Sequence, residues 1–312
     1  MSELIKNQMF GVEIETAGIS RYNAIQIIAK HFGTEGTIEH LNSYDSWTCR
    51  DTEGRTWRCM SDCSIEDPTG RSYQTIRGYQ YKGYEVVTPL LRYEDIESLQ
   101  NIIRELRAAG ACANSSCGIH VHVDAEKQDG LSLRRLAKFF LARQDLIYDA
   151  LGIGERKNRW CKPLSNSLVT AMRKEKVLSK DALERIWYSK ANDNYRGSID
   201  HSHYNDTRYH GLNLHSLFTG KGIEYRLFNG TMHAGKIKAY IQFCLALSAW
   251  AIESDEAIKF NKKVGLTPRQ KENLFAAILR NRLGLVGPEF TTCRYWMLNK
   301  LHSSVIAEEQ AA

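Results

Sequence analysis

Residues 118–123 read Gly-Ile-His-Val-His-Val, and the reading of the whole chain starts from them. Side chains alternate across a β-strand, so His120 and His122 project from one face while Val121 and Val123 project from the other. Three more stretches behave alike. Phe10–Glu15 (FGVEIE) sets Glu13 and Glu15 against Val12 and Ile14. Gly222–Phe228 (GIEYRLF) sets Glu224 and Arg226 against Ile223, Tyr225 and Leu227. Gly83–Thr88, ended by Pro89, places Glu85 between apolar neighbours on the face of Val87. In one antiparallel sheet, such strands pack one face on helices and gather four carboxylates and two imidazoles on the other. Carboxylates held close together repel and raise each other's pKa, which bound divalent cations relieve. An oxygen-rich donor set suits Mg²⁺ or Mn²⁺, and an imidazole leans the choice slightly toward Mn²⁺ or Zn²⁺. Taken singly, ExE is most often a solvated strand face, HxH a half-exposed pair and ExR a surface ion pair. Their joint occurrence on separate strands favours a metal site.

Outward from these strands, helical spacing predicts helices over Arg21–Phe32, Tyr93–Ala109, Leu133–Leu151, Asp181–Lys190, Ile237–Ile252 and Thr291–Leu301, with another opening at Thr267-Pro268 and running to Leu283. Gly33, Gly110 and Gly152 follow three of them as stop signals. Trp47–Ser64 reads as a hairpin turning at Asp51–Gly54, and His210–His215 as a further strand. Glu155–Lys180 reads as a basic connector and Asn192–Asn205 as a polar loop, in which His201 and His203 are taken as surface residues. There is no internal repeat, low-complexity tract or interdomain linker. The expected organisation is a core domain over residues 1–254 with a helical C-terminal extension over 255–312 packed on it.

Composition bounds the function. With 312 residues, 43% hydrophobic, 25% charged and five prolines, the chain is an ordinary globular one, neither disordered nor fibrous. The longest apolar-rich stretch, Tyr240–Ile252, is shorter than the roughly 20 residues that span a bilayer, so no membrane anchor is expected. The first fifteen residues bring Glu3 early and lack a continuous apolar run, so no secretory leader is expected and the location is read as cytoplasmic. A net charge of +6 is compatible with anionic ligands but gives no ground for nucleic-acid binding. Cys49, Cys59 and Cys63 match no paired zinc pattern and read as reduced thiols in a strand–loop region, and Cys244 as a small core residue.

The ordered series FGVEIE, SDCS (Ser61–Ser64), GYEVVTP, CGIHVHV, RYHGLNL (Arg208–Leu214) and GIEYRLFNGT resembles the amidoligase family, a branch of the glutamine synthetase-like carboxylate–amine ligases. The resemblance runs from about residue 8 to about residue 250. It implies an α+β fold with a curved antiparallel sheet, helices on its convex face, and ATP with two or more Mg²⁺ ions on the concave face. By the same resemblance Glu13, His120 and Glu224 match ligands of the metal that bridges the ATP phosphates. Glu15 and Glu85 match ligands of a metal near the acceptor carboxylate. His122 is the motif's second histidine, near phosphates or substrate, and Arg226 matches the arginine that stabilises the transferring phosphoryl group. Asp62 and Ser64 match an Asp-Gly-Ser turn in which Cys63 replaces glycine, leaving Asp62 either a metal ligand or a substrate contact. Arg208 and Asn213 fall in a motif suited to phosphate or carboxylate binding. Arg159 and Lys162 resemble the family's basic segment or, equally, form a solvated basic loop.

The implied reaction suits these residue types. A carboxylate oxygen is a poor leaving group, and transfer of the ATP γ-phosphoryl group converts it to an acyl phosphate that an amine can attack. Phosphoryl transfer needs positioning and charge neutralisation more than covalent help from the protein. Asp62, His122 and Glu85 are each eligible as the base for the amine. The expected substrates are small-molecule or peptide carboxylates and amines. A phosphotransferase on the same fold and an ATP-independent metal hydrolase are the alternatives; the hydrolase lacks any HExxH-type motif.

Overall fold

The structure is a computed structural model that describes residues 2–66, 74–76, 79–81, 83–176, 178–191, 198–255 and 265–311. Part of the expected polar loop, residues 192–197, and part of the expected extension, 256–264, lie outside the described residues. The strands are β1 (Phe10–Thr16), β2 (Glu39–Leu41), β3 (Ser46–Arg50), β4 (Thr56–Ser61), β5 (Gln74–Ile76), β6 (Tyr79–Tyr81), β7 (Tyr84–Val87), β8 (Gly118–Val123), β9 (Leu212–Asn213) and β10 (Ile223–Asn229). The α-helices are α1 (Ser2–Lys6), α2 (Arg21–Phe32), α3 (Ile96–Ala108), α4 (Gly130–Leu151), α5 (Arg156–Arg159), α6 (Asn166–Lys174), α7 (Lys180–Lys190), α8 (His215–Phe218), α9 (Ala234–Glu253), α10 (Pro268–Ala277) and α11 (Thr291–Ala311). Eight strands form an open antiparallel sheet in the order β2-β3-β4-β7-β1-β8-β10-β9, and β5 and β6 pair separately. The α+β fold with an antiparallel sheet that the family resemblance implies is the fold observed.

The chain divides into two units. One comprises Met9–Val121 and Phe228–Lys238; the other comprises Met1–Gln8, His122–Leu227 and Ala239–Ala312. In the first unit, register decides which side chains share a face. Glu15 lies opposite Glu85 and Glu13 opposite Val87 across β1 and β7, and Glu85 lies opposite Met60 across β7 and β4. The reverse face carries Val12, Ile14, Tyr84, Val86, Trp57, Cys59 and Cys49, all buried. Helix α2 packs on β3 and β4 through Ala24, Ile25, Ile28 and Ala29, and α3 packs on α2. Ser20 caps α2 by accepting from the Asn23 N–H, and Gly33 ends it in the left-handed region at φ 69°.

The β3–β4 hairpin turns on Asp51. Its Oδ1 accepts from the Glu53 and Arg55 backbone N–H groups, and its Oδ2 accepts from Arg55 Nε at 2.8 Å and Trp57 Nε1 at 3.2 Å. Asp51→Ala strips the buried indole of its acceptor and leaves Arg55 with one carboxylate fewer. It is expected to cost about 3 kcal/mol of stability. Chemical denaturation measures this, and a loss under about 1 kcal/mol would remove Asp51 as the turn's anchor.

The second unit is mainly helical. α4 packs on α6, α10 and α11, and the Phe139 and Trp250 rings of α4 and α9 meet at 4.8 Å. α4 starts at Gly130, earlier than the apolar periodicity of Leu133–Leu151 alone indicates. Asp129 and Ser132 form a capping box, and a Cβ at Gly130 would sit 1.5 Å from the Leu178 carbonyl oxygen. The basic connector contains the helices α5 and α6; Ser165 caps α6, which buries Leu168, Val169 and Met172 beneath its charges. His210–His215 is not one strand. Asn213 Oδ1 accepts the His215 N–H at 2.9 Å, an Asx-type turn that ends β9 after two residues and opens α8.

All eight cysteines are free; Cys63 is exposed, Cys112 half-buried and the rest buried, Cys244 among them. Burial pushes the Cys49 thiol up to about 12 and the Cys117 and Cys161 thiols up to about 11. No helix among the described residues is long and apolar enough to cross a membrane.

Candidate active site

In the first unit, the acidic pair of β1 meets the first histidine of β8. His120 Nδ1 is hydrogen-bonded to Glu13 Oε2 at 2.9 Å, and its Nε2 lies 3.5 Å from Glu15 Oε1. Glu15 and His120 are buried, and Glu15 Oε2 also accepts the Gly118 N–H at 2.5 Å. Glu15 thus ties the start of β8 to β1 and faces Glu85 across the strand pair. Directly opposed like charges destabilise a sheet, because their Cβ atoms are only about 5 Å apart. The His120 imidazole, held against Glu13 and close to Glu15, offsets part of that repulsion, and carboxylate and imidazole are both donor types that divalent cations take.

Asp62 stands at the end of β4. Its Oδ1 accepts the Ser64 N–H at 2.8 Å, closing a turn over Cys63. Cys63 is not among the residues with positive φ, so the turn does not require glycine at this position. The Cys63 departure is therefore compatible with the motif's turn geometry, with the Asp62 carboxylate partly engaged in holding it.

In the second unit, β10 and β9 set Glu224 opposite Asn213. Both carboxylate oxygens of Glu224 accept hydrogen bonds, Oε1 from Arg226 Nη1 at 2.6 Å and Oε2 from Asn213 Nδ2 at 2.7 Å. Glu224, Arg226 and Asn213 are all buried, so this ion pair is shielded from solvent and fixes the guanidinium plane. Arg226 also lies over the Tyr209 ring at 5.8 Å, and Arg208 lies over the same ring at 5.6 Å. The Lys162 backbone pairs with Tyr209 and Gly211 through bonds of 2.8 and 3.0 Å. Arg159 is exposed on the Trp160 ring, which meets Tyr209 edge-on at 5.5 Å. His122 Nδ1 is 3.3 Å from Ser216 Oγ.

Of the twelve residues expected from the sequence, the structure joins Glu13, Glu15 and His120 in one contact group, with Glu85 opposite Glu15. It joins Asn213, Glu224 and Arg226 in another, and arranges Arg208, Arg226, Lys162 and Arg159 about Tyr209 and Trp160. Tyr209, Ser216, His215 and Tyr188 are additions. The Tyr188 hydroxyl meets His215 Nδ1 at 2.7 Å, both buried, while burial and Arg208 hold the His215 imidazole below its ordinary pKa. Only Tyr209 had a sequence signal, its place between Arg208 and His210. His201, read as a surface residue, is exposed and pairs with Glu184 at 2.5 Å.

His210 supports this region from behind. Its Nδ1 bonds the Thr207 carbonyl at 2.9 Å, and burial, with Lys162 nearby, lowers its pKa to about 4. Between the ordinary histidine value and about 4, the unfolded chain takes a proton that the native state refuses. Stability is therefore present above pH 6.5 and is lost as pH falls toward 4, by on the order of 3 kcal/mol in total. Urea denaturation of wild type and His210→Gln at pH 7 and pH 5 checks this; the wild type should lose more than the variant. Equal losses would show that His210 is not the acid-sensitive group.

Fold and site define an α+β protein whose antiparallel strands carry an acid–imidazole group in one unit and a buried guanidinium–carboxylate clamp in the other. The family model described as "Putative amidoligase enzyme" matches residues 6–248, and the chain belongs to that amidoligase family. Comparison with curated proteins found no match. Among solved structures the chain is similar to the crystal structure of a bifunctional glutathione synthetase from Pasteurella multocida, at 14% identity and a TM-score of 0.38. The alignment covers 99% of this chain and 51% of that one, so the chain spans about half the length of that protein.

Proposed function

We propose that the protein is an ATP-dependent carboxylate–amine ligase that forms an amide or isopeptide bond through an acyl phosphate. Family membership supports the ligase class. The observation that carries the finer reading is Glu85 set opposite Glu15 beside the Glu13–His120 pair, an acidic group that calls for a divalent cation. Glu13, Glu15, Glu85, His120 and Glu224 would hold Mg²⁺, with Mn²⁺ as a substitute. The bound ions would neutralise the phosphate oxygens during transfer. Arg226, Arg208, Asn213, Lys162 and Arg159 would bind the nucleotide phosphates and orient them.

The chain's own groups divide the work as follows. Arg226, fixed by Glu224, directs its planar fork at the transferring phosphoryl group as the substrate carboxylate attacks and ADP leaves. The amine then attacks the acyl carbon, phosphate departs, and a proton must leave the nitrogen. Glu85 and His122 remain eligible to take it; Asp62 is the poorer choice because Oδ1 already holds its turn. The substrates are small-molecule or peptide carboxylates and amines.

The test is incubation with Mg²⁺-ATP and a panel of amino acids, polyamines and cell extract, reading ADP first and product mass second. ADP release that requires both a carboxylate and an amine, with loss of water in the product mass, supports the ligase. A phosphorylated acceptor without an amide identifies a phosphotransferase, and turnover without ATP a hydrolase. Either result overturns the reading.

A further inference from the structure

A groove in the first unit lies between α2 and the outer strands, lined by Tyr22, Gln26, Lys30, Glu35, Ile38 and Trp47, with a volume of about 580 Å³. That size is typical of small-molecule sites, which run from about 300 to 1,000 Å³. Tyr22, Gln26 and Lys30 are spaced four apart and so form one stripe along α2. Trp47 lies opposite Cys59, Cys59 opposite Val86 and Val86 opposite Ile14 across successive strands. The groove therefore opens on the helix-bearing face, with the sheet between it and the face of Glu13, Glu15 and Glu85.

Its walls are built and held. The Trp47 ring meets Tyr22 at 4.6 Å and His40 at 4.7 Å. The loop closing this end carries two successive non-glycine residues in the left-handed region, Tyr44 at φ 55° and Asp45 at φ 44°. Asp45 holds that conformation by pairing with Arg21 at the start of α2 and with His40 of β2 at 2.8 Å. Backbone held in a sparsely populated region persists where its surroundings over-determine it, and such places cluster at binding sites.

The lining selects a chemistry. It offers one ammonium from Lys30, one carboxylate from Glu35 and one amide from Gln26, and none of these side chains makes a hydrogen bond or ion pair among the described residues. A simple anion would face Glu35 and a simple cation would face Lys30. A ligand bearing both charges finds a partner for each, and Tyr22, Trp47 and Ile38 cover an apolar group. We infer that this groove is a second small-molecule site, which binds a zwitterionic amino acid with an aromatic or large apolar side chain. This goes beyond the proposed ligation, since it concerns a different face of the sheet and requires no turnover.

Calorimetric titration of the full chain with L-phenylalanine tests it, without ATP or metal. Saturable binding is expected, weakened about tenfold for N-acetyl-L-phenylalanine, which lacks the ammonium, and for L-phenylalaninamide, which lacks the carboxylate. Lys30→Met and Glu35→Gln, both at exposed positions that leave folding intact, should each weaken L-phenylalanine about tenfold, and L-alanine should bind more weakly than L-phenylalanine. No saturable heat up to about 10 mM overturns the inference. So does binding that these two variants leave unchanged, which would place the amino acid elsewhere, or equal binding of the blocked ligands. Because nothing is turned over, failure here leaves the ligase reading standing, and failure of the ligase assay leaves this one.

Discussion

Arg226→Lys is expected to reduce Mg²⁺-dependent ADP release by about 10²- to 10³-fold while shifting the thermal midpoint by only a few degrees. The choice of lysine follows from the surroundings. Arg226 and Glu224 are both buried, with the guanidinium 2.6 Å from Oε1. Removing the charge altogether would strand a buried carboxylate and cost about 3–5 kcal/mol, mixing a folding defect into the rate. Lysine keeps a positive charge beside Glu224 but loses the planar fork and its stacking on Tyr209. Glu224→Gln is the less clean experiment for the same reason, since it leaves Arg226 buried without its counter-charge. Undiminished ADP release in a folded Arg226→Lys variant would remove Arg226 from the phosphoryl-binding role.

His120→Ala is expected to weaken Mn²⁺ binding by about 10- to 100-fold and to abolish ADP release. Its imidazole stands between Glu13 and Glu15, and its loss removes the ring that separates two carboxylates sharing their sheet face with Glu85. Some loss of stability should accompany this, because a buried ring is deleted. His120→Asn separates the two effects. Its amide can still donate to Glu13 but is too short to reach Glu15, so it should recover stability more than metal affinity. Titration of Mn²⁺ followed by electron paramagnetic resonance reads affinity without turnover. An affinity within about twofold of wild type for His120→Ala would exclude the histidine from the metal site.

Strand alternation carried most of what could be read in advance. It placed Glu13 with Glu15, Glu224 with Arg226, and Glu85 with Val87, and the register of β1 and β7 adds what alternation cannot, that Glu85 lies opposite Glu15. Helices with a clear stop were equally legible, as Gly33 and Gly152 show. The failures share a cause. A two-residue strand such as β9 has no period, and its end depends on one side-chain bond from Asn213. Helix α6 was hidden because it is nine residues long, buries only Leu168, Val169 and Met172, and lies inside a segment whose basic residues dominate its reading. Tyr188 and His215 are 27 residues apart, and no local pattern announces that their side chains will touch.

The uneven burial of the cysteines makes a spectroscopic reporter available in the native chain. Cys63 is the one exposed cysteine, while burial raises the half-buried Cys112 thiol and holds the Cys49, Cys117 and Cys161 thiols in the protonated, unreactive form at neutral pH. A maleimide dye at pH 7 should therefore attach at one place without any mutagenesis. That place is the centre of the turn closed by Asp62 and Ser64, so its emission would follow events at the end of β4 in real time, in the wild-type protein and with any substrate mixture.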